Sequence, residues 1–167
     1  MILFDRDTIA ESISEIAEQI NKYYEYISEP LMIVPVLNGG IFFYVDLVRQ
    51  LTFPNEMGVI STSHYPNGKE VRDLEIKFLD AVVEGREVML VDEICYTGKT
   101  LLELQHLLLS KGAIDVTTAV LLNQPKEHEN IIHIPKWAAL EHIGKEWVFG
   151  QGMDLKGLHR NKLDIEY

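Results

Sequence analysis

Apolar positions along the chain follow two rhythms. Ile9, Ile13, Ile16, Ala17, Ile20, Tyr23, Tyr24 and Ile27 recur at helical spacing. Thr8-Ile9-Ala10-Glu11 reads as a capping box opening that helix, which ends near Ser28, ahead of Pro30. Leu31 to Leu37 is then continuously apolar, as a buried parallel strand is. It breaks at Asn38-Gly39-Gly40, and a second apolar helix runs from Ile41 to Leu51. Met57 to Thr62 predicts a short strand, Ser61 to Glu70 an exposed turn-rich loop, and the alternation of Leu74 to Leu79 a strand with one wet face. Val88 to Val91 is apolar on both faces. A helix follows from about Thr100 to Ser110, with Leu101, Leu104, Leu107 and Leu108 on one side, closed by Lys111 and Gly112. Val116 to Leu122 predicts another buried strand.

Strand, glycine turn and helix in alternation predict an α/β fold: a mainly parallel, twisted sheet flanked by helices. After Asn123 the composition shifts. Gln124 to Asn130 reads as a polar loop, and Ile131 to Glu141 and Trp147 to Gly150 as short strands. The expectation is one domain over residues 1–167, a core to about residue 122 carrying a small C-terminal hood over about 123–167. A chain of 167 residues suits that plan.

Composition narrows the partners. Hydrophobic residues make up 47% and charged residues 25%, the balance of an ordinary globular protein. No apolar run approaches the roughly 18 residues that span a bilayer, and Met1 to Asp7 lacks the basic and apolar regions of a signal peptide. One cysteine, Cys95, rules out an internal disulfide framework and fits a reducing compartment, so a cytoplasmic location is expected. A formal net charge of −11 argues against nucleic acid or an anionic membrane as partner. Any phosphate site must then be local, built from backbone dipoles and a few placed cations.

One stretch supplies such a site. Glu87 to Thr100 is an apolar run ending in two acids, Asp92 and Glu93, followed by the loop Tyr96-Thr97-Gly98-Lys99-Thr100 and a helix. Backbone N–H groups at the turn and the positive end of that helix would cradle a phosphate. The acids stand where a sugar's hydroxyls or a cation would lie, which makes a phosphorylated sugar the first ligand to consider. The turn Asn38-Gly39-Gly40 would open on the same sheet edge, the edge where parallel sheets bind ligands. A Walker A loop would need a glycine where Glu93 stands, and no Gly-x-Gly-x-x-Gly turn is present. His64, His106, His128, His133, His142 and His159 show no metal-ligand spacing, and Cys95 has no identifiable partner as a nucleophile.

Val91 to Thr100 resembles the phosphoribosyl-diphosphate (PRPP) motif of type I phosphoribosyltransferases: an apolar strand, two acids, then Thr-Gly-x-Thr. Val36-Leu37-Asn38-Gly39-Gly40, with Phe42, Phe43, Asp46 and Leu47 after it, is similar to the pyrophosphate loop of the hypoxanthine-guanine branch. Ser63-His64-Tyr65 falls at that branch's mobile lid, and Lys136, Trp147, Val148, Gly150, Asp154 and Arg160 resemble its purine-binding hood. The resemblance implies transfer of a phosphoribosyl group from PRPP to a 6-oxopurine, with release of pyrophosphate. In that scheme Asp92 and Glu93 face the ribose hydroxyls. Tyr96, Thr97, Gly98, Lys99 and Thr100 hold the 5-phosphate. Leu37, Asn38, Gly39 and Arg160 hold pyrophosphate, the first of these loops often carrying a cis peptide. Lys136, Trp147, Val148 and Asp154 bind the purine, Ser63 and Tyr65 form the lid, and Asp154, Asp92 and Glu93 hold Mg²⁺. A homo-oligomer, dimer or tetramer, is also implied.

Two residues depart from the family pattern. Asn38 replaces a Lys or Arg of the pyrophosphate loop, at a position that acts through its backbone. Tyr96 takes the place of an Asp that serves as acid or base at purine nitrogen 7. A phenol of pKa near 10 is a poor base at neutral pH. Tyr96 therefore leaves two other readings open: a binding-only or regulatory relative, and a phosphoribosyltransferase for another base.

Overall fold

The structure, a computed structural model, describes residues 1–63, 74–125 and 130–167. Its elements in order are β1 (Ile2–Phe4), α1 (Arg6–Tyr23), β2 (Leu31–Leu37), α2 (Gly40–Val48), β3 (Asn55–Met57), β4 (Val59–Ser63), β5 (Glu75–Asp80), β6 (Glu87–Cys95), α3 (Lys99–Ser110), β7 (Asp115–Asn123), β8 (Trp137–Glu141) and β9 (Ile165–Glu166). The main sheet runs β5-β4-β2-β6-β7-β8, with β3 also paired to β2. Every pairing in it is parallel except β4 with β5.

The expected parallel α/β core is present, and its central strand β6 shows why it is apolar throughout. Val88 and Leu90 pack towards α3, whereas Met89 and Val91 pack towards α1 and α2. The α1 residues Ile9, Ile13, Ile16, Ala17 and Ile20 are all buried, as their spacing predicts. Pro35 sits inside β2, where a missing N–H would normally break a ladder. It lies where the partner of β2 changes, from β3 (last pair Ile33 with Met57) to β4 (first pair Val36 with Ile60). The single strand expected over Met57 to Thr62 is thus two, separated at Gly58.

Other boundaries also differ. The α1 cap is Asp5 rather than Thr8: its Oδ1 accepts the Thr8 N–H at 2.8 Å, so helix begins a turn earlier. The expected strand over Ile131 to Glu141 shrinks to β8, and Trp147 to Gly150 forms only isolated bridges. β8 belongs to the main sheet, so part of the segment beyond residue 122 is continuous with the core.

The remainder is tied to the other end of the chain. β9 pairs antiparallel with β1, Phe149 bridges Glu166, and the Arg6 N–H donates to Asp164 Oδ1 at 2.9 Å. Ile165 is fully buried (0% exposed) in the α1–α2 side of the core, with Val148 and Met153. We expect Ile165→Ala to destabilise by about 2–4 kcal/mol despite lying near the end of the chain, as a large-to-small core change does. Denaturant unfolding measures this.

Candidate active site

The turns after β2 and β6 open side by side at the carboxyl edge of the sheet, on a cleft of about 340 Å³. Its walls include Leu37 and Asn38, Thr62 and Ser63, Asp92 and Glu93, Tyr96, Thr100 and Arg160. The Leu37–Asn38 peptide is cis. A regular strand would send adjacent side chains to opposite faces. Here the alternation reverses: Val91 and Ile94 both pack towards α1 and α2, and Cys95 turns to the α3 side. The reversal falls across Asp92 and Glu93 and lets both carboxylates face one cleft.

The two acids differ in environment. Asp92 is 8% exposed, and its Oδ1 accepts the Glu93 N–H at 2.9 Å. Burial raises its carboxyl well above the usual range, and the neighbouring Glu93 charge raises it further. Glu93 packs on the β2 turn so closely that a Cβ on Gly39 would collide with its carboxylate, while one on Gly40 would come within 2.7 Å of the Val91 carbonyl. At Gly40, where the neighbour is backbone, close approach and not a special dihedral requires glycine.

The second turn builds a smaller cavity of about 90 Å³ lined by residues 94–101, at the start of the 12-residue helix α3. Gly98 caps the helix at φ +80°. Thr97 Oγ1 accepts the Lys99 N–H at 3.3 Å, and Lys99 Nζ lies 3.6 Å from Glu103. The turn is braced from behind by the connection to β8. Ile132 and His133 both donate backbone N–H groups to the Thr97 carbonyl (2.9 and 3.3 Å), and His133 leaves no room for a side chain on Gly98. His133 Nε2 is 3.2 Å from the Thr118 hydroxyl, which also accepts the Lys136 N–H at 3.1 Å. Burial, and next the His106 charge, push the His133 pKa down, so the neutral ring is favoured as acceptor of the Thr118 proton.

Cations reach this acidic edge from the C-terminal segment. The Arg160 guanidinium donates to the Gly152 carbonyl and to Asp154 Oδ1 (2.6 Å) and stands 3.9 Å from Glu93. Asp154 is fully engaged: Oδ2 accepts the Gly157 N–H at 2.6 Å, and its carbonyl accepts the Trp147 indole N–H at 2.8 Å. Gly152 lies against the Gly39 carbonyl, so the segment docks directly on the β2 turn. Trp147 is 58% exposed, and Val148 is buried.

Lys136 is a correction. The structure does not bring it to the cleft: its ammonium sits 3.3 Å from the centroid of the Tyr23 ring on α1 and 4.9 Å from that of Trp137. It precedes an edge strand that packs on α1, and spacing along the chain carried no sign of that. Of the expected lid, Ser63 lines the cleft and its hydroxyl lies 3.3 Å from Glu75, whereas Tyr65 falls outside the described residues.

Two adjacent acids, an anion-accepting turn at a helix start, and a guanidinium around one cleft on a parallel sheet define a transferase of phosphorylated sugars in outline. Residues 3–154 match the phosphoribosyl transferase domain, and the chain belongs to that family. It is 33% identical to the hypoxanthine phosphoribosyltransferase of Haemophilus influenzae over 164 residues, 96% of this chain and 90% of that one. Among solved structures it resembles a hypoxanthine phosphoribosyltransferase from Staphylococcus aureus (TM-score 0.86, 27% identity, 99% of this chain and 89% of that one). It also resembles the Trypanosoma cruzi hypoxanthine phosphoribosyltransferase in complex with its product IMP (TM-score 0.85, 27% identity, 98% and 91%).

The raised Asp92 pKa carries a sign. The folded state holds this proton more tightly than the unfolded chain, so stability falls as pH rises above the usual carboxyl range and Asp92 ionises. Asp92→Asn keeps an oxygen for the Glu93 N–H and removes the charge. It should melt above the wild type at neutral pH, with the gap narrowing on acidification. Each kcal/mol relieved appears as roughly 2–4 °C in a domain of this size, read by calorimetry.

Proposed function

We propose that the protein is a purine-salvage enzyme that transfers the 5-phosphoribosyl group of PRPP to a 6-oxopurine, hypoxanthine first, with guanine and xanthine as further candidates, and releases pyrophosphate. One observation carries the reading: the Asp92–Glu93 pair, the Tyr96–Thr100 turn, the Leu37–Gly39 turn and Arg160 converge on one cleft. The names of the relatives supply the purine. The binding-only reading raised by Tyr96 has no further support, because those relatives are named as transferases.

In this scheme the chain works as a single unit, with the segment beyond residue 122 as its hood. The turn amides and the Thr97 and Thr100 hydroxyls take the 5-phosphate at the positive end of α3. Asp92 and Glu93 accept hydrogen bonds from the ribose hydroxyls. The bond from the anomeric carbon to pyrophosphate breaks with its electron pair on the departing oxygen, and a purine nitrogen donates its lone pair to that carbon. Positive charge builds on the sugar ring at the transition state, beside the two acids. Backbone N–H groups of residues 37–39 and the Arg160 guanidinium take the charge of the pyrophosphate. The proton lost by the base leaves along the Tyr96 hydroxyl, which can relay it but not keep it at neutral pH. Trp147 stacks on the purine, and Val148 pairs with its edge through the backbone. A lid including Ser63 and Tyr65 excludes water.

Mg²⁺ is the proposed cofactor. Among the described residues no three His, Cys, Asp or Glu side chains gather to hold a metal on their own. Two hard carboxylates beside a phosphate turn nevertheless suit an ion that takes one or two protein oxygens and completes its shell with substrate phosphates and water. Bound there, it would neutralise charge on the departing pyrophosphate. Asp154 joins such a site only on releasing Arg160. We further propose a cytoplasmic homo-oligomer, dimer or tetramer, with no nucleic-acid or membrane partner. No helix among the described residues is long and apolar enough to cross a membrane.

Protein mixed with PRPP and Mg²⁺ should form nucleotide from hypoxanthine and not from adenine, followed by chromatography. Nucleotide binding without turnover on any 6-oxopurine would overturn the assignment. Tyr96→Asp should raise turnover, by up to about 10²-fold if it restores base assistance. Lys136→Ala should leave the hypoxanthine KM within about 2-fold, since a solvent-facing cation–π contact is worth only ~0.5–1 kcal/mol, and to stability rather than binding.

A further inference from the structure

Gly150 and Gly152 take positive φ, +100° and +95°, as residues without a Cβ readily do. Gln151 stands between them at φ +51°, where a side chain is strained. It is also buried, at 8% exposed, and a buried amide is unfavourable unless it is hydrogen-bonded. Glycine would remove both difficulties. What the glutamine adds is a donor: its Nε2 donates to the Leu163 carbonyl at 2.6 Å.

The backbone around it shows what that bond holds. In a regular strand, successive N–H groups point to opposite edges. Here the left-handed residue sends two in a row to the same facing segment. The Gln151 N–H reaches the Lys162 carbonyl at 3.0 Å, and the Gly152 N–H reaches the Arg160 carbonyl at 2.9 Å. With Nε2 on Leu163, residues 151 and 152 hold the carbonyls of residues 160, 162 and 163. A bulge of this kind re-aims a side chain. The side chain in question is Arg160, which donates to the Gly152 carbonyl, lines the cleft and stands 3.9 Å from Glu93. His159, just ahead of it, is left-handed as well, at φ +69°.

We infer that Gln151 is the positioning residue for Arg160: its left-handed backbone and its buried amide hold the segment 160–163 so that the guanidinium faces the cleft beside Glu93. The inference rests on the proposed function for the role of Arg160 at pyrophosphate, but the tether itself is independent of it.

Q151G relieves the strain and deletes the donor, and Q151E keeps the length but sets an acceptor against the Leu163 carbonyl. A lost hydrogen bond and a relaxed backbone should nearly offset, so Q151G should melt within about 3 °C of the wild type. Binding of pyrophosphate with Mg²⁺, followed by titration calorimetry, should nevertheless weaken about 10-fold in Q151G and at least as much in Q151E. KM for hypoxanthine should stay within about 2-fold. Because the effect runs through Arg160, adding Q151G to R160A should change pyrophosphate binding by no more than about 2-fold. In the ligand-free protein, amide hydrogen exchange at residues 160–163 should speed up in Q151G while β6 and β7 keep their protection. Wild-type pyrophosphate affinity in both single variants, a fully additive loss in the double variant, or unchanged exchange at 160–163 would each overturn the inference. Faster exchange at 160–163 in a protein whose wild type binds no pyrophosphate would uphold the tether and sink only the enzymatic reading.

Discussion

Everything at the carboxyl edge of this sheet depends on two adjacent negative charges at the end of a buried strand. Asp92 and Glu93 could not share one cleft on a regular strand, and burial beside Glu93 works against ionisation of Asp92. The chain meets the difficulty in three ways. It reverses the side-chain alternation of β6, donates the Glu93 N–H to Asp92, and packs a glycine turn flat against Glu93. What the core cannot supply is positive charge, since its strands are apolar. That charge arrives from Arg160, far along the chain, and the need to deliver it explains why a loop-rich C-terminal segment is docked on the β2 turn through Gly152.

The core was legible because its strands are buried on both faces and its helices on one, so the two rhythms stand out in the sequence. The acid pair and both glycine turns were legible for a related reason: they interrupt apolar runs, and interruptions at strand ends are where ligands meet parallel sheets. The misreadings fall where long-range contacts decide. Asp5 takes the α1 cap from Thr8 because β1 ends just before it, and a three-residue strand leaves no pattern. The family resemblance implies a purine contact for Lys136, yet β8 lies along α1 and carries that lysine to Tyr23 instead.

The phosphate turn shows how an acidic protein with a formal charge of −11 prepares to accept an anion. Lys99, the one basic side chain inside the turn, leans towards Glu103 rather than standing alone. The turn relies instead on oriented backbone N–H groups, and these need a rigid support. The β7–β8 connection provides it: two N–H groups on the Thr97 carbonyl, a His133 backbone that only glycine at 98 can tolerate, and the Thr118 hydroxyl fastening both ends of the brace.

The pairing of β1 with β9 bears on the order in which the molecule is assembled. Contacts between neighbouring strands of the sheet close loops of a few tens of residues, whereas this one joins Ile2 to Glu166. Loop-closure entropy favours the short-range sheet first and the terminal ribbon last. Arg160 lies between β8 and β9, so the guanidinium that faces Glu93 belongs to the part of the chain that this argument orders last. Closing the ring of chain therefore adds both the buried Ile165 and the cation that faces the acid pair.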